Sequence, residues 1–529
     1  MPAANAVARR AFADSRIRTG SFAALFALVA YVNVVGYRHS YRTVAERLSF
    51  ARAFGANNAV RLFYGVPHNL LSIGGYTAWR AGGIASIFAG VWGLLAAVRA
   101  LRAEEDDGRQ ELVLAGIVGR RSAYLAALAA IGAGAAILWL ALFAGLVGAR
   151  LPASGSAYLA LATISPIPVF AGVGALASQI APTRRLALEA SMATLVLAFL
   201  LRVVADTSTT LGWLRWATPL GWAEELRAFS SPAPAVLVLP ALAGALLLAA
   251  AGFIAVRRDV GTGLLQSRDT AAPRLRLLSS PTALALREER ASLVGWLGGI
   301  GLFALIVGVL STSFTTADIP ASLRQELRKL GALSITTPAG ALGFYFLFFV
   351  LAISLFGCSQ LAAARREEAG QRLETLFALP VGRRRWLGGR LLLAAAGAAA
   401  LALTAALLSW AGAASRHAHV AVTVLLEAGA NTLPTALLFL ALAALAFAVA
   451  PRPSGGIAYG LVSVAFLWEL FSALLGAPGW LVGLSPFQHI GLIPTQPFRP
   501  LAAATMLGLA AAAALTSLWA FGRRDLTGT

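Results

Sequence analysis

Long apolar runs alternate along this chain with short charged segments. "SFAALFALVAYVNVVGY" (21–37) and "AYLAALAAIGAGAAILWLALFAGLVG" (123–148) set the pattern. A helix needs about 20 apolar residues to cross the hydrocarbon core. In lipid a segment must satisfy its backbone groups internally, which an α-helix does. Uncharged runs of about 18–25 residues predict twelve spans, centred near Leu28, Phe88, Gly134, Ile167, Leu195, Gly244, Ala304, Phe348, Ala398, Leu438, Val464 and Ala510. Pro166, Pro168 and Pro434 predict kinks in two of them. The expected fold class is an all-α polytopic membrane protein. No small-residue cleavage site follows the first run, where "YRHSYRTVAERL" stands instead, so it is expected to stay as a span rather than act as a signal peptide.

An even span count puts both termini on one side. Arg9, Arg10, Arg16 and Arg18 precede the first span, Arg523 and Arg524 follow the last, and Arg184, Arg185, Arg257, Arg258 and Arg383–Arg385 fall on the same side. The positive-inside rule makes that side cytoplasmic, although Arg38, Arg42, Arg47, Arg52 and Arg61 would then lie outside. Composition agrees with a cell-membrane location: the chain is 58% hydrophobic and 12% charged, where soluble domains carry about 25% charged residues. The net charge of +20 reads as topology rather than as a nucleic-acid footprint. Cys358 stands alone in an apolar run, which excludes an internal disulfide or a cysteine metal cluster.

Two charged segments break the apolar pattern most sharply. "EEDDGRQELVLAGIVGRR" (104–121) lies between the second and third spans, and "REEAGQRLETLFALPVGRRR" (366–385) between the eighth and ninth. Glu105-x-x-Gly108 matches Glu367-x-x-Gly370. After a one-residue insertion Glu111 matches Glu374, Ala115 matches Ala378, and "VGRR" at 118–121 matches "VGRR" at 381–384. "VRRDVGTG" (256–263) is echoed by "GRRDLTGT" (522–529), and "WATPLGW" (216–222) by "LSPFQH" (484–489). Ordered matches at nearly constant spacing predict two parallel six-helix pseudo-repeats, 1–265 and 266–529.

Within 104–121, Leu112, Ala115 and Gly119 fall on one helical face. Two such helices, each with acids before and arginines after, suit a two-fold partner. The second segment resembles the coupling-helix signature of ABC type 2 exporter permeases, E-x-x-G-x-x-E-x-L-x-x-x-P-V-x-R. "LRWATPLGWAEELRAF" (214–229) resembles the external re-entrant helices of that family. The resemblance covers essentially the whole chain. Its double-length form is similar to actinobacterial permeases for antibiotics and polyketides. It implies export of lipophilic compounds by alternating access. It also implies cytoplasmic coupling helices, and interfacial elbow helices at 9–18 and 283–293. The copies are unequal: Ile117 stands where the second has Pro380.

Lys329, the only lysine, sits in "ELRKLGAL", so no phosphate-binding loop of the form G-x-x-x-x-G-K-[ST] exists here. The chain is expected to bind no cofactor itself. The resemblance implies a separate ABC ATPase subunit in two copies, carrying ATP and Mg. It would dock through Glu105, Gly108, Glu111, Leu112, Val113 and Arg120 in one segment, and Glu367, Gly370, Glu374, Leu376, Pro380 and Arg383 in the other. The arginines are expected to anchor each loop at the headgroups. The other partners are the bilayer and a lipophilic small molecule.

Charge inside a span is costly and informative. Arg202 and Glu469 occupy matching positions in the fifth and eleventh spans, so they are expected to pair across the repeat axis. Phe88, Trp92, Phe199, Phe348, Phe466 and Trp468 are candidates to line a pathway for a bulky apolar substrate. A proton-driven twelve-span transporter is the rival reading. Its loop signature needs Asp-Arg where Gly116 and Ile117 stand. No catalytic set and no metal site stands out, and His417-x-His419 is the only close histidine pair.

Overall fold

The structure is a computed structural model and describes residues 2–55, 61, 64–106, 108, 119–208, 210–259, 263–265, 278, 280–314, 337–471, 478–493 and 496–526. The described residues contain helices and no strand, and eleven helical stretches are long and apolar enough to cross a membrane. They fall into two compact units, Met1–Ala271 and, apart from a few residues around 320, Ala272–Thr529.

In the first unit α1 (Pro2–Ser40) is followed by the short α2 (Val44–Gly55). Next come α3 (Ile73–Asp106), α4 (Arg120–Gly148), α5 (Ala153–Ile164), α6 (Ile167–Ile180) and α7 (Arg184–Thr207). The short α8 (Pro219–Glu225) precedes α9 (Val238–Arg257). The second unit runs α10 (Pro281–Leu310), α11 (Pro338–Ala369), the short α12 (Arg372–Phe377) and α13 (Arg383–Ser415). It continues through α14 (Val422–Ala430), α15 (Leu433–Val449), α16 (Ser454–Phe471), α17 (Gly479–Val482) and α18 (Pro500–Arg523).

The expected kinks are full breaks. Pro166 stands between α5 and α6, Pro168 sits in the first turn of α6, and Pro434 sits in the first turn of α15 after α14 has ended. Proline cannot donate to the preceding turn, and its ring crowds the carbonyl there. Elsewhere proline opens helices at Pro281, Pro338 and Pro500, where its missing N–H costs nothing. Ser280 and Thr337 accept from Ala283 (3.2 Å) and Gly340 (3.1 Å) to cap two of those starts.

Eleven of the twelve predicted centres lie in the eleven spans, and Val464 lies on α16, whose 18 residues reach about 27 Å. The elbow helices expected at 9–18 and 283–293 are not separate elements. They are the first turns of α1 and α10, which run on without interruption. No proline stands between Arg9 and Ser40, and a lone glycine such as Gly20 costs a helix only about 1 kcal/mol.

Helices with no hydrophobic drive to associate in lipid pack through small residues that let backbones approach. In the first unit α1 meets α4 at Gly145, where a Cβ would stand 2.5 Å from the Ala27 carbonyl oxygen. In the second, α10 meets α13 at Gly308 and Gly412, with Cβ positions 2.2 Å from Ser409 O and 2.3 Å from Leu305 O. Gly308→Ala should therefore destabilise the second unit by about 1–3 kcal/mol. Gly508→Ala, with nothing within 4 Å of its Cβ position, should stabilise by up to about 1 kcal/mol. Thermal unfolding in detergent reads both, and equal shifts would contradict the packing.

Candidate functional site

The feet of the two charged segments are built from the same four side chains. In the first unit a π-helical turn, Arg99–Ala103, ends the long part of α3 and turns Arg102 inward. Arg102 reaches the Pro182 carbonyl and pairs with Glu105 one turn on, at 3.0 Å. Glu105 also accepts two hydrogen bonds from Arg258 Nη2, at 2.5 and 2.6 Å, while Arg258 Nε donates to Gln179 at 2.7 Å. Arg120, the first residue of α4, donates to the Arg258 carbonyl at 2.7 Å. One carboxylate thus ties the end of the second span to the end of the sixth. The arginine opening the third span takes up a carbonyl that α9 leaves unsatisfied at its C-terminus.

The arrangement recurs in the second unit. Arg365 lies 3.5 Å from Glu368 one turn later, and Arg524 clasps both Glu368 oxygens at 2.8 and 2.7 Å. Arg383 donates to the Arg524 carbonyl. Glu368 is 2% exposed and Glu105 9%, so each carboxylate is held by guanidinium rather than water. Arg102, Glu105 and Arg120 stand 263 residues before Arg365, Glu368 and Arg383. Gly108 (φ 71°) and Gln371 (φ 58°) share that spacing, and both turn left-handed while their N–H groups donate back to the acid's carbonyl.

This geometry corrects the register read from sequence. Glu105 corresponds to Glu368, not Glu367, and Gly108 to Gln371, not Gly370. No insertion separates glycine from glutamate in the second copy. The extra residue belongs to the first copy, earlier, and the π-turn at 99–103 absorbs it. Upstream of that turn the spacing is 264: Trp92 lies against Gly134 as Phe356 lies against Gly397. A one-residue insertion in a membrane helix commonly becomes such a bulge.

Several expected docking residues face inward. Glu105 is the clamp just described. Glu367 pairs with Arg390, which also binds Glu289 at 2.7 Å and sits over Trp386. Arg120 and Arg383 hold helix ends instead of headgroups. Leu376 is half-buried against the unit's core, and Gly370 adopts an ordinary conformation at the end of α11. What α12 presents outward is Glu374, and beyond it Pro380 and Leu379, the last 58% exposed. Leu379 was missed, although an apolar residue before proline in a charged loop is a visible signal. Glu111, Leu112 and Val113 lie outside the described residues.

Arg202 finds its acids inside its own unit. Its Nε is 3.1 Å from Asp206 and 2.9 Å from Glu224, and the chain of charge continues through Arg215 to Glu225 and Arg227. The need for a countercharge that suggested pairing with Glu469 is thus met locally. Glu469, with the Gln488 amide turned to donate, has hydrogen bonds of 2.8 and 3.2 Å in its own unit. The faint echo after these helices is a geometric one. Thr218 donates to Ala198 O as Ser485 donates to Ala465 O, and Trp222 bonds Trp216 O as His489 bonds Gly483 O. Burial, reinforced by Asp206 and opposed by Arg202, holds the Glu224 carboxyl up at about 8.

The aromatic candidates do not form one set. Phe348 and Phe466 meet edge-to-face at 5.6 Å within the second unit's core, and Trp468 donates to Leu481 O at 3.0 Å. Phe88 is exposed, Phe199 lies under the Arg202 guanidinium, and Trp92 lines a cavity of the first unit.

Apolar spans in two compact units, with the feet of a charged segment clamped at matching places in each, define a multi-pass helical membrane protein. Residues 73–257 and 278–522 match the family described as multidrug efflux system permease Rv1217c, C-terminal domain, and the chain belongs to that family. The multidrug efflux system permease protein Rv1217c of Mycobacterium tuberculosis is 30% identical over 502 residues, covering 94% of this chain and 90% of that one.

Removing one partner of a buried ion pair leaves a charge stranded, at about 3–5 kcal/mol. Glu368→Ala and Arg524→Ala should each lower the thermal midpoint, and the double variant should lose clearly less than their sum. An additive double variant would contradict the clamp. Glu224 gives a pH signature. Its carboxyl is raised in the folded state, so unfolding releases a proton between about 4.5 and 8. Stability should fall as pH rises through that window. Glu224→Gln should flatten the slope, and an unchanged slope would assign it elsewhere.

Proposed function

We propose that this chain is the membrane subunit of an ATP-driven ABC exporter that moves lipophilic compounds, including antibiotics and polyketide-like drugs, out of the cell. The fold in this proposal is twelve spans in two parallel six-span halves, with both termini in the cytoplasm. A separate ATPase, in two copies that carry the ATP and Mg, docks on 104–121 and 366–385 and drives alternating access.

The observation that carries this reading is the repeated clamp under the charged segments. A loop that merely connects two spans has no use for a buried carboxylate held by guanidinium groups. A loop that receives a push must be fixed to the helices it moves. Here one acid joins the second span to the sixth, and the arginine beginning the third span locks onto the same end. The surface offered on α12 and just after it is small, with Glu374 for a basic groove and Leu379 and Pro380 for apolar contact. An exposed ion pair contributes less than about 1 kcal/mol, so the apolar pair dominates. The name of the similar mycobacterial permease supports drug efflux as the activity.

Purification of the chain with its ATPase tests the reading. Lipophilic drugs should stimulate ATP hydrolysis by the complex. Leu379→Asp should cut ATPase recovery at least tenfold, while Val44→Asp, at an exposed position on the short α2 outside the spans, should not cut it. Drug export that needs no ATPase and collapses with the proton gradient would overturn the proposal.

A further inference from the structure

Gly134 packs on Trp92 and Thr19 in the first unit as Gly397 packs on Phe356 and Leu293 in the second. Two turns toward the clamp, at the same spacing of 263, Ala127 corresponds to Arg390. In the second unit Arg390 is 6% exposed and fills its place completely, bonded to Glu289 and Glu367 with Glu288 at 3.7 Å. In the first unit alanine leaves that place empty. A cavity of about 250 Å³ opens there, bounded by Ala127, Trp92, Glu104 and Asp14.

The charge around the cavity has also changed. The spacing of Thr19 to Leu293 puts Arg18 where the second unit has Ser292. Arg184 lines the same cavity and its charge opposes that of Arg18, with Asp14 an acid on the lining. Arg184 also begins the 24-residue α7, whose N-terminus adds positive potential. The opposite wall is apolar, formed by Phe22, Trp92, Leu95, Tyr124 and Ile131. A site with alanine in place of the guanidinium, and with Arg18 and Arg184 on its lining, suits an anion carried on an apolar body.

We propose that this cavity of the first unit binds an anionic amphiphile, with its carboxylate or phosphate between Arg18 and Arg184 and its apolar body against Trp92 and Ile131. The cavity floor includes Glu105 and Arg258, so an occupant touches the clamp beneath the first charged segment. The inference goes beyond the export reading and does not need it, because binding is measured on the isolated chain without ATPase or ATP.

The test uses quenching by brominated probes, taken as the difference between the full chain and its Trp92→Phe variant. Dibromostearate and brominated phosphatidylglycerol should quench the Trp92 signal saturably, and brominated phosphatidylcholine should not. Arg18→Gln with Arg184→Gln should raise the midpoint for the anionic probes about tenfold or more. Ala127→Leu, which fills the space without charge, should abolish quenching. Displacement by cholate as well as by oleate would assign the site to ring-bodied anionic compounds in general. Displacement by oleate alone would assign it to membrane lipid. Equal quenching by phosphatidylcholine, or a midpoint unchanged in the arginine double variant or in Ala127→Leu, would overturn the proposal.

Discussion

A carboxylate buried between guanidinium groups at the end of the second span, and again at the end of the eighth, is the interaction on which the rest of this structure depends. A buried charge costs several kcal/mol unless it is paired and hydrogen-bonded. Glu105 and Glu368 meet that condition by drawing in the arginine that follows the last span of each unit. Because the arginine comes from a distant helix, satisfying the acid fixes three helix ends at one point. Arg120 and Arg383 then gain a use that a lipid headgroup would not give them, as donors to the carbonyls where those last helices stop.

The same logic separates the two units. Each has the clamp, but only the second adds Arg390 and its acids above it. Alanine in the first unit leaves a cavity, and Arg18 and Arg184 alter its charge. The π-turn in α3 is a second difference, since it shifts the part of α3 before it by one position relative to the second unit. Unequal halves are therefore visible in the spans themselves, as well as in the Ile117 and Pro380 of the charged segments.

Much of this was legible in the sequence, for definite reasons. Spans are written in uncharged length, and eleven of the twelve centres fall in helices able to cross a membrane. Proline marks the broken spans because it cannot complete the ladder. Register was harder. Adjacent glutamates at 367 and 368 offer two equally good matches to Glu105, and glycine at 370 draws the alignment to the wrong one. Only the left-handed turn at Gln371 and the bond from Arg524 identify the partner. The pairing of Arg202 with Glu469 failed as an argument for a related reason. Asp206 lies one turn after Arg202 and Glu224 follows in the next short helix, and near acids answer a buried arginine before a distant one is needed. Inward-facing acids such as Glu367 were read as docking residues because charge in a loop looks solvated until its burial is known.

On the proposed function, the clamp carries force from the charged segments into the spans. The number of drug molecules exported per ATP hydrolysed, measured in vesicles for the wild type and for Glu368→Gln, tests it most directly. The account predicts that Glu368→Gln still recovers its ATPase and still hydrolyses ATP, while exporting several-fold less drug for each ATP. An unchanged ratio, with the ATPase fully retained, would contradict it.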